Sequence, residues 1–255
     1  MPRRWIAFLC LGIVGLLASA CSDTNPTTTA RANSSSVSHV YVAIGEDGSG
    51  GFTYRGDLRT MWAQIFYESA LGTGGTFYDY SMPDETVADA LHEVLPDALA
   101  LRPDLVTIWE STADIVAATP PAVYGEDLDK LVEAFRRAGA VVLLANVAPP
   151  QLDQVLETCL AHAAACGPPG SPLLALPSSP SLTKDSSAYN AVIDSVAHRT
   201  GAVVVNLGAV LTAAIDEGGL SHLVSPNDTS LSQNGADLVA RAFQSHLPRR
   251  FARIH

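Results

Sequence analysis

Basic residues are scarce in this chain. Its 255 residues include 15 lysines and arginines against 26 aspartates and glutamates, which gives a net charge of −11. Arg3 and Arg4 are the only charged residues in the segment 1–20, so without that segment 13 basic residues face the same 26 acids. A surface this negative repels phosphate backbones, which argues against a nucleic-acid partner.

Aromatic side chains are also few, at 7 %, and neither glycine nor proline is in excess. This composition excludes collagen-like and low-complexity proteins. A mean hydropathy of +0.19 excludes a wholly disordered chain. Beyond the N-terminus no apolar run is long enough to span a bilayer, which excludes a membrane protein with several spans. What remains is a globular protein with one sizeable core, or at most two small ones.

The N-terminus has the pattern of an export signal. Arg3 and Arg4 precede an apolar stretch at 5–17, and the small residues 18–20 (ASA) come directly before Cys21. These are the charged region, the apolar region and the cleavage site of a signal peptide. The pattern resembles a bacterial lipoprotein signal, in which Cys21 becomes the lipidated first residue and anchors the protein to the membrane. Plain secretion after cleavage at the same place and a retained membrane anchor are the alternatives, and the arginine pair leaves twin-arginine export open.

Residues 22–38 (SDTNPTTTARANSSSVS) contain almost no large apolar side chain. Such a segment buries too little surface to offset the entropy lost on ordering, so we expect a flexible tether. The chain is therefore divided into a signal peptide at 1–20, the lipidated cysteine with its tether at 21–38, and one domain at 39–255.

Two cysteines lie in that domain, Cys159 and Cys166, while Cys10 lies in the signal and Cys21 at the acylation position. An exported protein meets oxidising conditions, in which a local disulfide between Cys159 and Cys166 is the default expectation. A metal-binding pair is the alternative, but no second pair of ligands stands at a suitable spacing, and His162 fits an exposed helical residue.

From residue 39 onward short apolar runs alternate with segments of helical periodicity. Continuous apolar runs are typical of parallel strands that are covered on both faces. The expected fold class is α/β: a flavodoxin-like three-layer α/β/α sandwich around a five-stranded parallel sheet, with ligands bound at the carboxyl ends of the strands. The predicted strands are 40–44, 76–80, 105–109, 140–145 and 202–205; the predicted helices lie around 61–66, 87–95, 128–135, 149–165, 189–196 and 232–243; and a proline-rich loop is expected at 167–181.

Four blocks of this domain occur in the order found in one enzyme family. YVAIG ends the first strand, TVADAL opens the second helix, PDLVTIW precedes the third loop, and LVSP leads to a capped helix with NG before LVARAF. Each block alone is weak evidence for a family, but the four blocks in this order and spacing are fairly specific for one. In these blocks the domain resembles the SGNH (GDSL-type) hydrolase family over nearly all of its mature length.

The resemblance implies a hydrolase of carboxylic esters with a known set of catalytic groups. In that family a serine after the first strand is the nucleophile, a histidine before the last helix is the base, and an aspartate three residues before the histidine orients it. A glycine after the second strand and an asparagine after the third complete the oxyanion hole. A poor nucleophile is thus activated by a nearby base, and donors stand where negative charge develops.

The first two blocks of this chain depart from the family at the catalytic positions. With Gly45 on the family's glycine, Asp47 stands where the nucleophilic serine belongs. With Thr86 on the second block's threonine, Ser81 stands where the oxyanion glycine belongs.

The third and fourth blocks depart as well. The third reads STAD where the family has GxND, so Ala113 replaces the asparagine while Asp114 is retained. In the fourth, Asn227 stands for the orienting aspartate and Ser230 for the histidine. Because triad members and oxyanion donors act as a unit, five replacements together predict the loss of the mechanism.

Residual activity with rewired groups is the alternative. Ser49 lies two residues beyond the expected nucleophile in the glycine-rich segment 48–51, and His222 stands eight positions before Ser230. A turn serine and a solvated histidine are the simpler interpretations, since a base has to satisfy geometry first. A zinc enzyme is not expected, because HExxH or a comparable ligand spacing is absent around the other histidines, His39, His92, His162, His198 and His246.

Several acidic residues fall in or beside the loops that would surround the position of the family's active site. Crowded carboxylates raise one another's pKa and attract cations, so a Ca²⁺ or cationic-ligand pocket is a further hypothesis. Solvated loop acids are the simpler interpretation, because a cation site needs converging oxygens. These residues are Glu46, Asp47, Glu110, Asp114 and Asp228.

The sequence therefore predicts an envelope-anchored lipoprotein whose domain keeps a hydrolase scaffold without its catalytic set. We expect this domain to bind a glycan, lipid or protein at the cleft where the family has its active site, or to act as a scaffold. No cofactor is expected. An active ester hydrolase on acyl-glycan or lipid esters is the competing hypothesis.

Overall fold

The five strands of the sheet are formed by the apolar runs of the sequence. The computed structural model describes residues 39–45, 61–71, 74–82, 85–149, 179–219, 222–223 and 231–251. The strands lie side by side in the order β2-β1-β3-β4-β5, and all pairs are parallel. The predicted five-stranded parallel sheet is confirmed, with strand bounds within one residue of the predicted ones. The strands are β1 (Val40–Gly45), β2 (Thr76–Asp79), β3 (Leu105–Trp109), β4 (Val141–Ala145) and β5 (Val203–Val205).

Helices cover both faces of the sheet, as a parallel sheet requires. Along β1, Val42 and Ile44 belong to a core cluster shared with the helices between β2 and β5, whereas Tyr41 and Ala43 belong to a second cluster on the opposite face. The three-layer sandwich of the prediction is thus confirmed. Its helices are α1 (Trp62–Ala70), α2 (Val87–Asp89), α3 (Leu95–Ala100), α4 (Thr112–Val116), α5 (Pro121–Arg137), α6 (Ser179–Thr200), α7 (Leu207–Gly218) and α8 (Gln233–Ser245).

Two of these helices have no counterpart in the sequence prediction. The helix α4 has only five residues, too few for a periodic signal. The helix α7 buries only Leu207 and Leu211, so its pattern is weak, although Asn206 caps it by accepting from the backbone N–H of Ala209 at 3.0 Å. The asparagine directly after a strand was the available signal for this helix.

The predicted loop at 167–181 is wrong at its end, because α6 begins at Ser179. Pro180 does not prevent this, since a helix tolerates proline in its first turn, where the N–H has no intrahelical partner. The predicted helix at 149–165 lies outside the described residues except for Pro149, which is not helical.

Between α2 and α3 the helix widens into a π-helical turn, Ala90–Val94. The N–H of Leu95 bonds to the carbonyl of Ala90, five residues earlier. Pro96 follows directly and has no N–H to donate, which favours a break in the regular α-helical pattern at this point. No helix within the described segments is both long and apolar enough to cross a membrane.

Gly45 ends β1 at the closest approach between two backbones. It pairs with Trp109 of β3, and a Cβ at position 45 would lie 2.6 Å from the Trp109 carbonyl oxygen. Its φ of +156° is one that residues with a side chain rarely adopt. Only glycine therefore lets β1 and β3 run together to their carboxyl ends.

We predict that Gly45→Ala lowers the free energy of unfolding by about 1–3 kcal/mol, because the new methyl group pushes β1 away from β3. Urea denaturation measures the loss. Gly74→Ala is the matched control, since a Cβ at Gly74 meets nothing within 4 Å, and its effect should stay within about 0.5 kcal/mol. Equal losses in the two variants would contradict this account of Gly45.

Candidate functional site

The residues that follow β2 lie beside the end of β1, at the carboxyl edge of the sheet. Beyond β2 the chain continues beside β1: the N–H of Tyr80 donates to the carbonyl of Ala43 at 2.9 Å, and the N–H of Met82 donates to the carbonyl of Gly45 at 3.0 Å. Ser81 therefore lies beside the end of the strand that precedes the predicted nucleophile position. In a flavodoxin-like sheet this edge is where ligands bind.

The backbone N–H of Ser81 is already used by a neighbouring carboxylate. It donates to Oδ1 of Asp79 at 2.9 Å, two residues earlier in the chain. This is an Asx turn, in which a side chain takes the place of a backbone acceptor. A glycine can serve an oxyanion hole only through its backbone N–H, because it has no side chain. At Ser81 that donor is bound to Asp79, a residue that the sequence prediction did not include.

Ala113 lies in α4, directly beyond β3. Its methyl side chain has no donor, and its carbonyl accepts from the N–H of Ala117 at 2.8 Å within the helix. The position at which the family carries an asparagine therefore offers no side-chain hydrogen bond.

The structure brings Ser81 to one edge of the sheet together with the residues that follow β3, which include Glu110, Ala113 and Asp114. The other predicted active-site and cation-site residues lie outside the described residues, namely Glu46, Asp47, Ser49, Asn227, Asp228 and Ser230. The same is true of Cys21, Cys159 and Cys166.

His222, the alternative base, contacts the end of α7 and the start of α8. Its ring lies 3.3 Å from where a Cβ on Gly218 would stand, and its carbonyl accepts from the Ser232 hydroxyl at 2.5 Å. Ser232 also accepts from the N–H of Gly235, which confirms it as the predicted N-cap of the last helix. The described contacts of His222 are thus with the helices that follow β5, not with the ends of β1 and β3.

Asp114, which the third block retains, joins two loops. Its side chain is buried, and its Oδ2 accepts from the N–H of Val87, the first residue of α2, at 2.8 Å. Burial raises the pKa of Asp114, the hydrogen bonds from Val87 and Thr119 oppose that rise, and Asp89 and Asp127 add to it. The role of Asp114 in the described structure is to hold the start of α2 against the loop after β3.

A second contact between the same loops is made by two buried glutamates. Glu85 and Glu110 are 5 % and 1 % exposed, and their side chains lie next to each other. Burial raises the pKa of Glu85 to about 7, the neighbouring Glu110 side chain opposes the rise, and the charges of Asp89 and Glu93 add to it.

Nothing in the sequence singles out Glu85 as a site residue. A glutamate before a helix N-cap has the pattern of a solvated loop acid, and only its contact with Glu110, 25 positions away, distinguishes it. No group of three or more His, Cys, Asp and Glu side chains among the described residues is placed to hold a metal ion. Glu110 and Asp114 instead take part in contacts between loops.

The chain matches the model of a protein family, and this match agrees with the α/β fold. The model of the GDSL-like lipase/acylhydrolase family matches residues 42–238. The chain belongs to the GDSL-like lipase/acylhydrolase family. No curated protein matches the chain.

Solved structures with this fold include several esterases. An acetylxylan esterase from Geobacillus stearothermophilus, solved as a catalytic mutant, is 16 % identical with a TM-score of 0.60, and the match covers 85 % of this chain and 97 % of that one. An acetyl xylan esterase is 11 % identical with a TM-score of 0.60, covering 82 % and 100 %. A psychrotrophic esterase from a Pseudoalteromonas species is 16 % identical with a TM-score of 0.56, covering 81 % and 95 %. At these identities the likeness concerns the fold of the GDSL-like domain.

We predict that Asp114→Ala destabilises this domain by about 1–3 kcal/mol, because the buried N–H of Val87 loses its acceptor. Asp114→Asn keeps an acceptor oxygen and should cost clearly less. Chemical denaturation of both variants beside the wild type measures the difference. Equal losses for alanine and asparagine would mean that the bond to Val87 is not what Asp114 contributes.

Proposed function

We propose that this protein is a cell-envelope lipoprotein whose GDSL-like domain binds a ligand at the carboxyl edge of its sheet without hydrolysing it. The observation that carries the proposal is the bond between the Ser81 N–H and Asp79, which uses the donor that an oxyanion hole would need. The methyl group of Ala113 supports the same conclusion at the second oxyanion position. Without these donors a tetrahedral intermediate gains little stabilisation.

The charge at this edge supports the proposal as well. Hydrolysis of an ester places negative charge on the carbonyl oxygen in the transition state. Glu85, Glu110 and Asp114 are buried acids beside the ends of β1 and β3, and any of them that is ionised disfavours an oxyanion nearby. The triad positions carry Asp47, Asn227 and Ser230 in place of the family's serine, aspartate and histidine. These replacements and the acidic surroundings together favour recognition of a ligand over catalysis.

Two of the similar structures are acetylxylan esterases by name, so an acylated glycan is the first ligand class to test. A lipid or a protein at the same cleft is the alternative. Binding of acetylated xylooligosaccharides by calorimetry without release of acetate is the expected result.

We predict that the wild-type full chain hydrolyses p-nitrophenyl acetate no faster than buffer. Restoring the family's groups by Asp47→Ser, Ala113→Asn, Asn227→Asp and Ser230→His should give measurable turnover. Adding Asp79→Ala frees the Ser81 N–H and should raise that turnover further, by about a hundredfold, the usual worth of one oxyanion donor. Asp79→Ala alone should stay inactive.

Wild-type turnover well above buffer that disappears in Ser49→Ala would overturn the proposal and establish an ester hydrolase with rewired groups. Turnover of the restored variant that is indifferent to Asp79→Ala would show that position 81 does not serve the oxyanion.

The lipid anchor predicts a second result. In a bacterial host the wild-type chain should incorporate a labelled fatty acid and sediment with membranes, whereas Cys21→Ala should lose the label, because the thioether to the lipid cannot form. Cys10→Ala, which changes a cysteine inside the apolar region, is the control and should keep the label. Equal labelling of both variants would contradict lipidation at Cys21.

A further inference from the structure

The two edges of the sheet differ in charge. Among the described residues that directly follow β2, β3, β4 and β5, at the carboxyl edge, neither lysine nor arginine occurs. Exposed arginines lie instead at the amino edge, where the strands begin. Three of them form no ion pair with any carboxylate of the described residues and are called the amino-edge arginines below: Arg102, Arg249 and Arg250.

The carboxyl-terminal turn brings two of these arginines to the start of β1. This turn, Arg249–Phe251, is a 3₁₀ helix that follows α8. The Phe251 side chain is buried, and its ring lies 4.8 Å from that of His39, which directly precedes β1. The guanidinium of Arg250 lies 4.9 Å from the centre of the Phe251 ring. The packing of Phe251 thus fixes the exposed Arg249 and Arg250 beside the first strand.

Arg102 lies close to the same strand start. It precedes β3, and the N–H of Asp104 donates to the carbonyl of Val40 at 2.9 Å. Oδ2 of Asp104 in turn accepts from the N–H of Val40 at 2.9 Å and lies 3.7 Å from Nδ1 of His39. His39 therefore contacts both the segment that follows Arg102 and the carboxyl-terminal turn.

The other arginines at this edge are already used within the fold. Arg199 is paired with Asp129 at 2.9 Å, and Arg137 is paired with Glu133. The guanidinium of Arg136 donates to two backbone carbonyls, at 2.8 and 3.2 Å. These contacts stabilise the ends of α5 and α6, so only the amino-edge arginines have charge to offer to an external anion.

The acidic side chains described near this edge do not neutralise the amino-edge arginines. Asp104 is bonded to the N–H of Val40, and Glu68 of α1 accepts from the side chain of Gln64 at 2.8 Å. Asp97 is exposed in α3, five residues before Arg102, and forms no ion pair with it. The guanidinium groups are therefore accessible to an anion from outside the domain.

We propose that the amino-edge arginines bind the phosphate groups of an anionic membrane surface. An arginine close to such a surface strengthens binding about fivefold, and the effect fades within a Debye length of about 10 Å. The proposal rests on the envelope anchoring proposed above, because the predicted tether leads directly into His39 at this edge. The net charge of −11 opposes any approach that does not present these arginines.

This docking also orients the ligand site. The parallel strands all run from the amino edge to the carboxyl edge, and the six residues of β1 span about 20 Å. With the amino edge on the membrane, Ser81, Glu110 and Asp114 lie on the side that faces away from it. A ligand then reaches the cleft from the surrounding medium and not from the bilayer.

The test compares the full chain on vesicles of phosphatidylcholine alone with the full chain on vesicles of phosphatidylcholine and phosphatidylglycerol in equal parts. Phenylglyoxal modification of the amino-edge arginines, measured by mass spectrometry, should be at least about fivefold slower on the anionic vesicles. This protection should disappear at 1 M salt, where the Debye length is about 3 Å. Met82, which is 53 % exposed beside the end of β1, should be oxidised by peroxide at the same rate on both vesicles.

The double variant Arg249→Gln with Arg250→Gln should lose at least about fivefold of the protection at Arg102. Arg102→Gln should weaken the protection at Arg249 and Arg250, so the experiment stands if the double variant fails to fold. Lys130→Gln with Lys184→Gln is the matched control, because it removes the same charge from the middle of α5 and from the second turn of α6. The control should keep the wild-type protection.

Equal modification rates on the two kinds of vesicle would overturn the proposal, as would equal losses in the arginine pair and the lysine pair. Slower oxidation of Met82 on anionic vesicles would mean that the carboxyl edge faces the membrane, which also contradicts it. The neutral vesicles test the anchor separately. A chain that does not float with them, but binds anionic vesicles with its arginines protected, would refute the anchoring and retain the docking surface.

Discussion

The pairing of β1 with β3 is the constraint on which the rest of this domain depends. The two strands run together from Tyr41 opposite Leu105 to Gly45 opposite Trp109, and the last pair is so close that no side chain fits at position 45. The turn after β2 is hydrogen bonded to the end of β1, and α4 follows the end of β3 directly. A shift of these two strands would therefore separate the turn after β2 from α4.

Acidic side chains stabilise the turns and loops at the carboxyl edge of the sheet. Asp79 closes a turn, Asp114 caps the start of α2, and Glu85 packs beside Glu110 in the interior. Some of the 26 acidic residues are thus buried inside the fold. Buried acids can stabilise contacts between loops. They are unfavourable, however, in a site where negative charge develops during the reaction.

Much of the fold could be predicted from the sequence, because burial on both faces of a parallel sheet leaves a continuous apolar run such as Val141–Ala145. The start of α6 could not be predicted, because the sequence around Pro180 does not distinguish a proline in the first turn of a helix from a proline in a loop. The acidic character of the site could be predicted at Glu110 and Asp114 from their place after β3. Their partners Glu85 and Val87 could not, because those contacts join residues 25 and 27 positions apart and depend on the packing of the loops.

The turn made by Asp79 and Ser81 has a consequence for the history of the domain. Its hydrogen bond uses a backbone donor, which substitution at position 81 alone does not release. If the ancestor was an esterase, reversal of the five family positions would leave this donor occupied. Once Asp79 had entered the turn, every path back to full catalytic rate would require a sixth change, at a residue outside the catalytic motif.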